Sequence, residues 1–321
     1  MPYASVSIVI PNFNGEAIID RTLSAVRAAA RVYPGPCEVV VVDDASTDHS
    51  VDLILERHPE VSLVRHQANA GFAEAVHSGV AHASHEVLIL LNSDVMPSPE
   101  FIAPLVTPLT DEKIFATSPL VLDASGNPDF VSWTRYTLAR GKLKSCPWTL
   151  EDVRRYRAEG RPLNGLYASG GSMAVRRERF RQLGGFLAIY KPFYSEDSDL
   201  GTRAWMRGWA TCFVPESKVE HSSGSTINRL FQARQVRATR IRNQLIYLAL
   251  YTAPRDFLLR HLPWILLRAL TRLARLDTTM LLGLLKALGL AREIQDTRAR
   301  IRASQPFKTL DLVLQDVTAC R

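Results

Sequence analysis

Four cysteines are scattered through 321 residues, at positions 37, 146, 212 and 320, and no two form a CxxC pair. Neither a disulfide framework nor a cysteine-based zinc knuckle is supported, and a reducing compartment fits. The N-terminus reads MPYASVSIVIPNFNG, with no basic segment ahead of an apolar stretch, so no secretory signal is expected. The C-terminal third lacks the ~20 consecutive apolar residues that a bilayer crossing takes. Its longest uncharged run, Asn243 to Pro254, is too short and contains Asn and Gln. No internal repeat or low-complexity tract occurs, and 46% hydrophobic with 22% charged residues rules out disorder as the main state. No GxGxxG follows the first strand-like run and GxxxxGK[ST] is absent, which disfavours a dinucleotide fold and a P-loop nucleotidase.

What is present is unevenly distributed charge. Between Arg229 and Arg302 there are 15 Lys+Arg against 4 Asp+Glu, a balance of +11, whereas the whole chain is only +7. A slightly acidic body with a basic tail region argues against a general nucleic-acid binder. It argues for a localised anionic partner such as a membrane surface.

The length suggests one large domain with an appendage, or two domains. In the first ~120 residues, continuous apolar runs (SVSIVIP, EVVVVDD, EVLILLNSD) alternate with segments of helical spacing. This is the pattern of an α/β fold, a mostly parallel sheet covered on both faces. Mixed Pro, Gly, Trp and charged residues from about Pro119 to Gly165 read as long loops and edge elements. Strand and helix signals return at LYASGGSMAVRRERF, SEDSDLGTRAWMRGW and ATCFVPESKVEH. After about Ser225 the sequence turns to Leu/Arg-rich helices, which places a boundary there: residues 1–225, then a helical, basic region 226–321.

In an open parallel sheet, ligands bind beyond the carboxyl ends of the strands. Here those ends carry Pro11-Asn12-Phe13-Asn14-Gly15, Asp43-Asp44 and Asn92-Ser93-Asp94. Carboxylates, amides and one aromatic ring thus converge on a single rim.

The ordered set IVIPNFNG, VVVDDASTD, NAGFAEAVHSG, LLNSD and SEDSDLGTRAWMRGW resembles the family 2 glycosyltransferases of GT-A fold. The resemblance covers about residues 6 to 224. NxGFAxA, Asn-x-Asp in place of Asp-x-Asp, and EDxDLxxRxxxxGW narrow it to the bacterial rhamnosyltransferase-like branch. It implies a metal-dependent inverting enzyme that takes a sugar, L-rhamnose in that branch, from a dTDP- or UDP-sugar. The acceptor would be a glycan or a polyprenyl-diphosphate-linked glycan in cell-surface polysaccharide synthesis. The rival readings are a sugar nucleotidyltransferase, whose Gly-rich Thr-Arg signature is missing, and a catalytically inactive nucleotide-binding membrane scaffold.

The same resemblance implies roles for single residues. Asp44 would accept the imide N–H of uracil or thymine, with Phe13 against the ring. Pro11, Asn12, Asn14 and Asp43 would line the nucleotide. Asp94 would bind a divalent cation, Mn²⁺ or Mg²⁺, with His221 as a late ligand, while the neutral Asn92, next to Ser93, touches ribose or binds through water. Asp197 would be the general base and Glu196 its alternative. Asn69 and Gly71 lie at a strand-to-helix turn whose free N–H groups could approach the donor sugar. Gly170 and Gly171 allow close backbone approach near the acceptor.

Several of these residue types also have plain structural readings. Ser46 or Thr47 could cap the following helix. Asp199 can pair with Arg203 one helical turn on, and Trp205 and Trp209 suit packing. Beyond Pro263, Leu266, Ala269, Leu273 and Leu276 alternate with Arg268, Arg272 and Arg275. That is an amphipathic pattern for an anionic membrane surface, with packing or homodimerisation as the alternative. The expected location is cytoplasmic, peripheral on the inner face of the cell membrane.

Overall fold

The computed structural model describes residues 3–221 and 231–319. Cys320 and the expected boundary at 225/226 lie outside the described residues. A nine-stranded sheet organises the chain. Strands β1 (Val6–Asn12), β2 (Cys37–Asp43), β3 (Ser62–Arg65) and β4 (Val87–Leu91) pair in parallel, in the order β3-β2-β1-β4. Helices α1 (Ile19–Val32), α2 (Ser50–Arg57) and α3 (Phe72–His82) connect them. The strands are apolar without alternation because both faces are covered. On β1, Ile8 and Ile10 enter the core containing Leu23 and Val26 of α1, while Val9 faces the core built on Val76 of α3.

Beyond β4 the sheet becomes mixed. The short β5 (Val95–Pro97) and helix α4 (Ile102–Val106) precede β6 (Ile114–Leu122). Strand β10 (Ser172–Arg176) inserts antiparallel between β4 and β6, and β11 (Ala210–His221) lies parallel to β6. β5 and the two-residue β9 (Asn164–Gly165) flank β11 antiparallel. The stretch expected to be loops is more ordered than its composition indicates. It contains β6, a separate hairpin of β7 (Arg135–Ala139) and β8 (Lys142–Cys146), and helix α5 (Leu150–Ala158). The α5 signal was present locally: Thr149 and Asp152 form a reciprocal capping box. Buried Trp133, ringed by Trp148, Tyr156 and Phe213, gives this region its own small core.

Helices α6 (Arg177–Gln182) and α7 (Glu196–Met206) cover the α3 side of the sheet, and among the described residues five longer helices follow, with a short helical turn at residues 254–261 between the first two. These are α8 (Ala233–Tyr251), α9 (Leu262–Leu273), α10 (Thr279–Leu288), α11 (Ala291–Ser304) and α12 (Leu310–Ala319). Leu245 of α8, Ile265 of α9 and Met280 and Ala287 of α10 form a small core of their own, but the helices are not independent of the sheet half. Tyr247, Leu248 and Tyr251 of α8, with Val313 of α12, share one buried cluster with Leu166, Tyr190, Trp205 and Met206.

Polar links reinforce that shared core. Asp199, fully buried on α7, pairs with Arg203 at 2.6 Å and accepts hydrogen bonds from the hydroxyls of Tyr190 (3.1 Å) and Tyr251 (2.5 Å). Arg203 also donates to the carbonyls of Leu183 and Gly185. The i,i+4 pairing expected from sequence is therefore made, and its role is structural. Trp205 is buried and donates to the Gly165 carbonyl at 3.0 Å, and Trp209 stacks on Phe115. Asp199→Ala would strand the Arg203 charge in the interior. It is expected to cost about 3–5 kcal/mol in urea unfolding. A loss below about 1 kcal/mol would show that the pair is not supporting α7.

Candidate active site

At the carboxyl rim of the sheet, polar side chains stitch the ends of β1 and β2 together. The buried Asn12 amide donates to Asp43 (3.0 Å), Ser50 (3.1 Å) and Ser46 (3.3 Å). Asp43 also accepts the Ser46 N–H at 3.1 Å. Asn14 sits in the left-handed region at φ 52; its N–H donates to the Ser46 hydroxyl and its side-chain oxygen accepts the Thr47 N–H. The capping role at α2 that the sequence suggests for Ser46 or Thr47 is not filled: both bind the neighbouring loop at Asn14. Asp48 accepts the Ser50 N–H and hydroxyl at that helix start instead. Asn12 and Asp43 are spent on shaping the rim, while Pro11 and Phe13 are half-buried on it.

Asp44 is held more tightly than expected of a residue with only a ligand to serve. Its carboxylate accepts the N–H groups of Ala70 and Gly71 (2.8 Å each) and lies 2.7 Å from a ring nitrogen of His66. His66 reaches the Ser78 hydroxyl through its other nitrogen at 2.8 Å. Asn69 donates to the Asp44 backbone carbonyl at 3.3 Å. The N–H groups of the Asn-Ala-Gly turn are therefore not free for a donor sugar, because Asp44 already takes two of them. A carboxylate has about four lone-pair sites, and three are used here. His66 had no signal in the sequence: it becomes visible only when β3 is placed beside β2.

The expected cation ligands meet across two strands. Register pairs His221 of β11 with Val95 of β5, which brings the His221 imidazole 3.5 Å from the Asp94 carboxylate. Hydrogen bonding to Asp94 raises the His221 pKa above the usual imidazole value. The Ser93 carbonyl accepts the Thr22 hydroxyl at 2.7 Å, which fixes this loop on α1. Among the described residues no third His, Cys, Asp or Glu joins the pair. Two protein ligands nevertheless suit a cation completed by substrate phosphates, the usual arrangement for Mg²⁺ at nucleotide sites.

The loop 169–172 joins this half to the other. The Asn92 N–H donates to the Gly171 carbonyl at 2.9 Å, and a Cβ on Gly171 would lie 2.7 Å from the Asn92 amide nitrogen, so only glycine fits without a shift. On its other side, a Cβ on Gly170 would sit 3.8 Å from the Asp197 Cβ. One four-residue turn thus touches both Asn92 and the acid pair.

Glu196 and Asp197 open α7 directly after Tyr194 (φ 72) and Ser195 (φ 78), two consecutive non-glycine residues in the left-handed region. Such backbone costs energy and persists only where its surroundings hold it. The holder is Asn243 of α8, fully buried, whose amide lies 2.8 Å from the carbonyls of Tyr190, Phe193 and Tyr194. Asn243 was visible in the sequence only as a polar break in an uncharged helical run.

Both acids keep a little accessible surface, yet loss of solvent is the first cause that raises their pKa values. Asp197 rises to about 6 and Glu196 to about 8. The order has a structural reason. N–H groups of Ser198 and Gly170 support the Asp197 carboxylate, whereas one Glu196 oxygen is buried with no hydrogen-bond partner. Asp197 therefore ionises first. The Tyr136 and Tyr167 hydroxyls, 2.9 Å apart and both held protonated by burial, lie close enough for the Asp197 charge to raise them further. Neither tyrosine stood out in the sequence.

A mostly parallel sheet covered by helices on both faces, with polar residues gathered at its carboxyl rim, is a GT-A type fold. The chain belongs to glycosyl transferase family 2, which matches residues 7–184. It is 30% identical over 216 residues to N-acetylglucosaminyl-diphospho-decaprenol L-rhamnosyltransferase of Mycobacterium tuberculosis, covering 60% of this chain and 69% of that one. Its fold is similar to that of GalNAc-T7, solved with UDP, GalNAc and Mn²⁺, at TM-score 0.63 and 19% identity. That match covers 98% of this chain and 57% of the other. It is also similar to the mannosyltransferase PcManGT from Pyrobaculum calidifontis in complex with GDP-Man and Mn²⁺, at TM-score 0.53 and 21% identity, covering 99% and 88%.

Proposed function

We propose that this chain is an inverting, metal-dependent glycosyltransferase. It moves L-rhamnose from a dTDP- or UDP-sugar to a hydroxyl of a glycan or polyprenyl-diphosphate-linked acceptor, in cell-surface polysaccharide synthesis. Residues 1–225 form the catalytic domain and residues 226–321 a helical region docked on it. The observation that carries this reading is the 169–172 turn, which sets the acid pair beside the strand ends where a nucleotide-sugar would lie. The rhamnosyl and lipid-linked parts are supported by what the mycobacterial relative is named for.

Asp197, ionised before Glu196, takes the proton of the acceptor hydroxyl as its oxygen attacks C1 of the donor sugar, and the bond from C1 to the diphosphate oxygen breaks. Glu196 stays protonated through neutral pH, so a single negative charge faces the incoming hydroxyl. The oxygen and imidazole donors of Asp94 and His221 fit a Mn²⁺ or Mg²⁺ ion, which when bound would neutralise the leaving diphosphate. Asp44 and Phe13 would hold the pyrimidine.

The test is hydrolysis of a panel of nucleotide sugars in Mn²⁺ or Mg²⁺. Slow turnover of a dTDP- or UDP-linked deoxyhexose, well above that of purine-linked donors, is the expected result. No turnover or binding of any nucleotide sugar would refute the reading.

A further inference from the structure

Most large hydrophobic side chains left exposed among the described residues fall between Leu258 and Leu288. On α9 they form one stripe. Leu266, Leu270 and Leu273 follow i, i+4, i+7 spacing and are 48%, 65% and 44% exposed, while Ile265 on the inward flank is fully buried. Helix α10 repeats the arrangement with Leu281, Leu285 and Leu288 outside and Met280, Gly283 and Ala287 inside. The structure thereby corrects the stripe expected from sequence. Ala269 packs inward, Arg268 donates to the Gly141 carbonyl, and the helix ends at Leu273, before Leu276. An apolar area of this kind on a soluble face marks an interaction site.

Charge identifies what covers it. Residues 258–288 carry Arg260, Arg268, Arg272, Arg275 and Lys286 against Asp277 alone, and even with Arg260 paired to Asp256 (3.8 Å) and Arg272 to Asp277 (3.4 Å) two copies face to face would oppose like charges. An anionic bilayer offers both partners at once, acyl chains for the leucines and phosphates for the arginines. No helix among the described residues is long and apolar enough to cross a membrane, so these helices would lie on it.

The same surface is joined to the active site. The hairpin β7–β8 turns at Arg140-Gly141, both at positive φ, the type I′ geometry. Its tip is fixed to the start of α9: the Gly141 N–H donates to His261 at 3.0 Å and Arg140 lies 4.7 Å from the Trp264 ring centre. Exposed Lys142 and Lys144 continue the basic surface along the outer face of the hairpin, while Tyr136, Leu138 and Leu143 on its other face pack into the core, where Tyr136 lies within reach of the Asp197 charge.

We infer that the outer faces of α9 and α10, with the β7–β8 hairpin, dock this chain on an anionic lipid surface and turn the acid pair toward the headgroups. The purpose rests on the proposed lipid-linked acceptor; the docking itself does not. The test is flotation of the full chain with vesicles of phosphatidylcholine alone and of an equal mixture with phosphatidylglycerol. Binding to the mixture should exceed that to phosphatidylcholine at least about tenfold and be released by high salt. Leu266→Gln with Leu270→Gln, both at exposed positions of the stripe, should lower vesicle binding about tenfold or more and leave donor hydrolysis unchanged. A full chain that floats with neither vesicle, or a double variant that floats as well as the parent, overturns the inference. So does a concentration-dependent dimer in sedimentation that the double variant dissolves without any flotation. Flotation with no donor turnover would refute the enzymatic reading alone.

Discussion

Asp197→Asn is expected to lower turnover by a factor of about 10² or more while leaving donor binding largely intact. The amide keeps the shape of the side chain and its place beside Ser198 and Gly170, but cannot take a proton. Transfer at near the parental rate would move the role to Glu196, whose Gln variant is the next to measure. The elevated pKa of Asp197 adds a pH signature. Activity of the parent should rise as pH passes about 6, where the carboxylate forms. Stability should run the other way. The folded chain keeps protons on this pair that the unfolded chain, with ordinary carboxyl values of 3.8 and 4.5, has already released. The pair therefore costs stability increasingly as pH climbs from about 4 toward 8. Asp197→Asn should accordingly melt above the parent at pH 8, with the difference closing near pH 4. A variant that melts lower at both would show that Asp197 supports the fold rather than burdening it.

The second large effect concerns the cation. Excess chelator should abolish transfer, and added Mn²⁺ or Mg²⁺ should restore it. Asp94→Ala should reduce transfer at least about 10²-fold even in saturating metal, since it removes the only carboxylate of the pair. His221→Ala should cost less, because phosphate oxygens and water can complete the coordination. Undiminished transfer in chelator would show that protein donors alone stabilise the departing diphosphate. The neutral Asn92, standing where an acid is usual, would then be the reason.

Much of this site was legible because its residues sit at strand ends. Once VSIVIPN, EVVVVDD and EVLILLNSD are read as neighbouring parallel strands, Asn12, Asp43, Asp44 and Asp94 must share a rim. The 3.5 Å approach of His221 to Asp94 followed less directly, since it depends on the antiparallel register of the three-residue β5 with the end of β11. What escaped was long-range. His66 reaches Asp44 across 22 positions, Tyr136 meets Tyr167 across 31, and Asn243 holds carbonyls 49 to 53 positions away. No periodicity or spacing encodes such contacts. The missing cap at α2 has a different origin: the helix begins only at Ser50, four residues beyond Ser46, whose hydroxyl accepts from Asn12 and Asn14 instead.

The grip of α8 on the start of α7 also limits how this architecture can be recombined. Asn243 clasps the turn before the acid pair, and Tyr247 and Tyr251 bond to Thr202 and Asp199 just beyond it. A chimera joined at the proposed 225/226 boundary would set one parent's acid-bearing helix against another parent's clasp, and is expected to lose activity even with every rim residue intact. A working exchange of acceptor halves would have to carry residues from the 169–172 turn through α8 as a single inherited block.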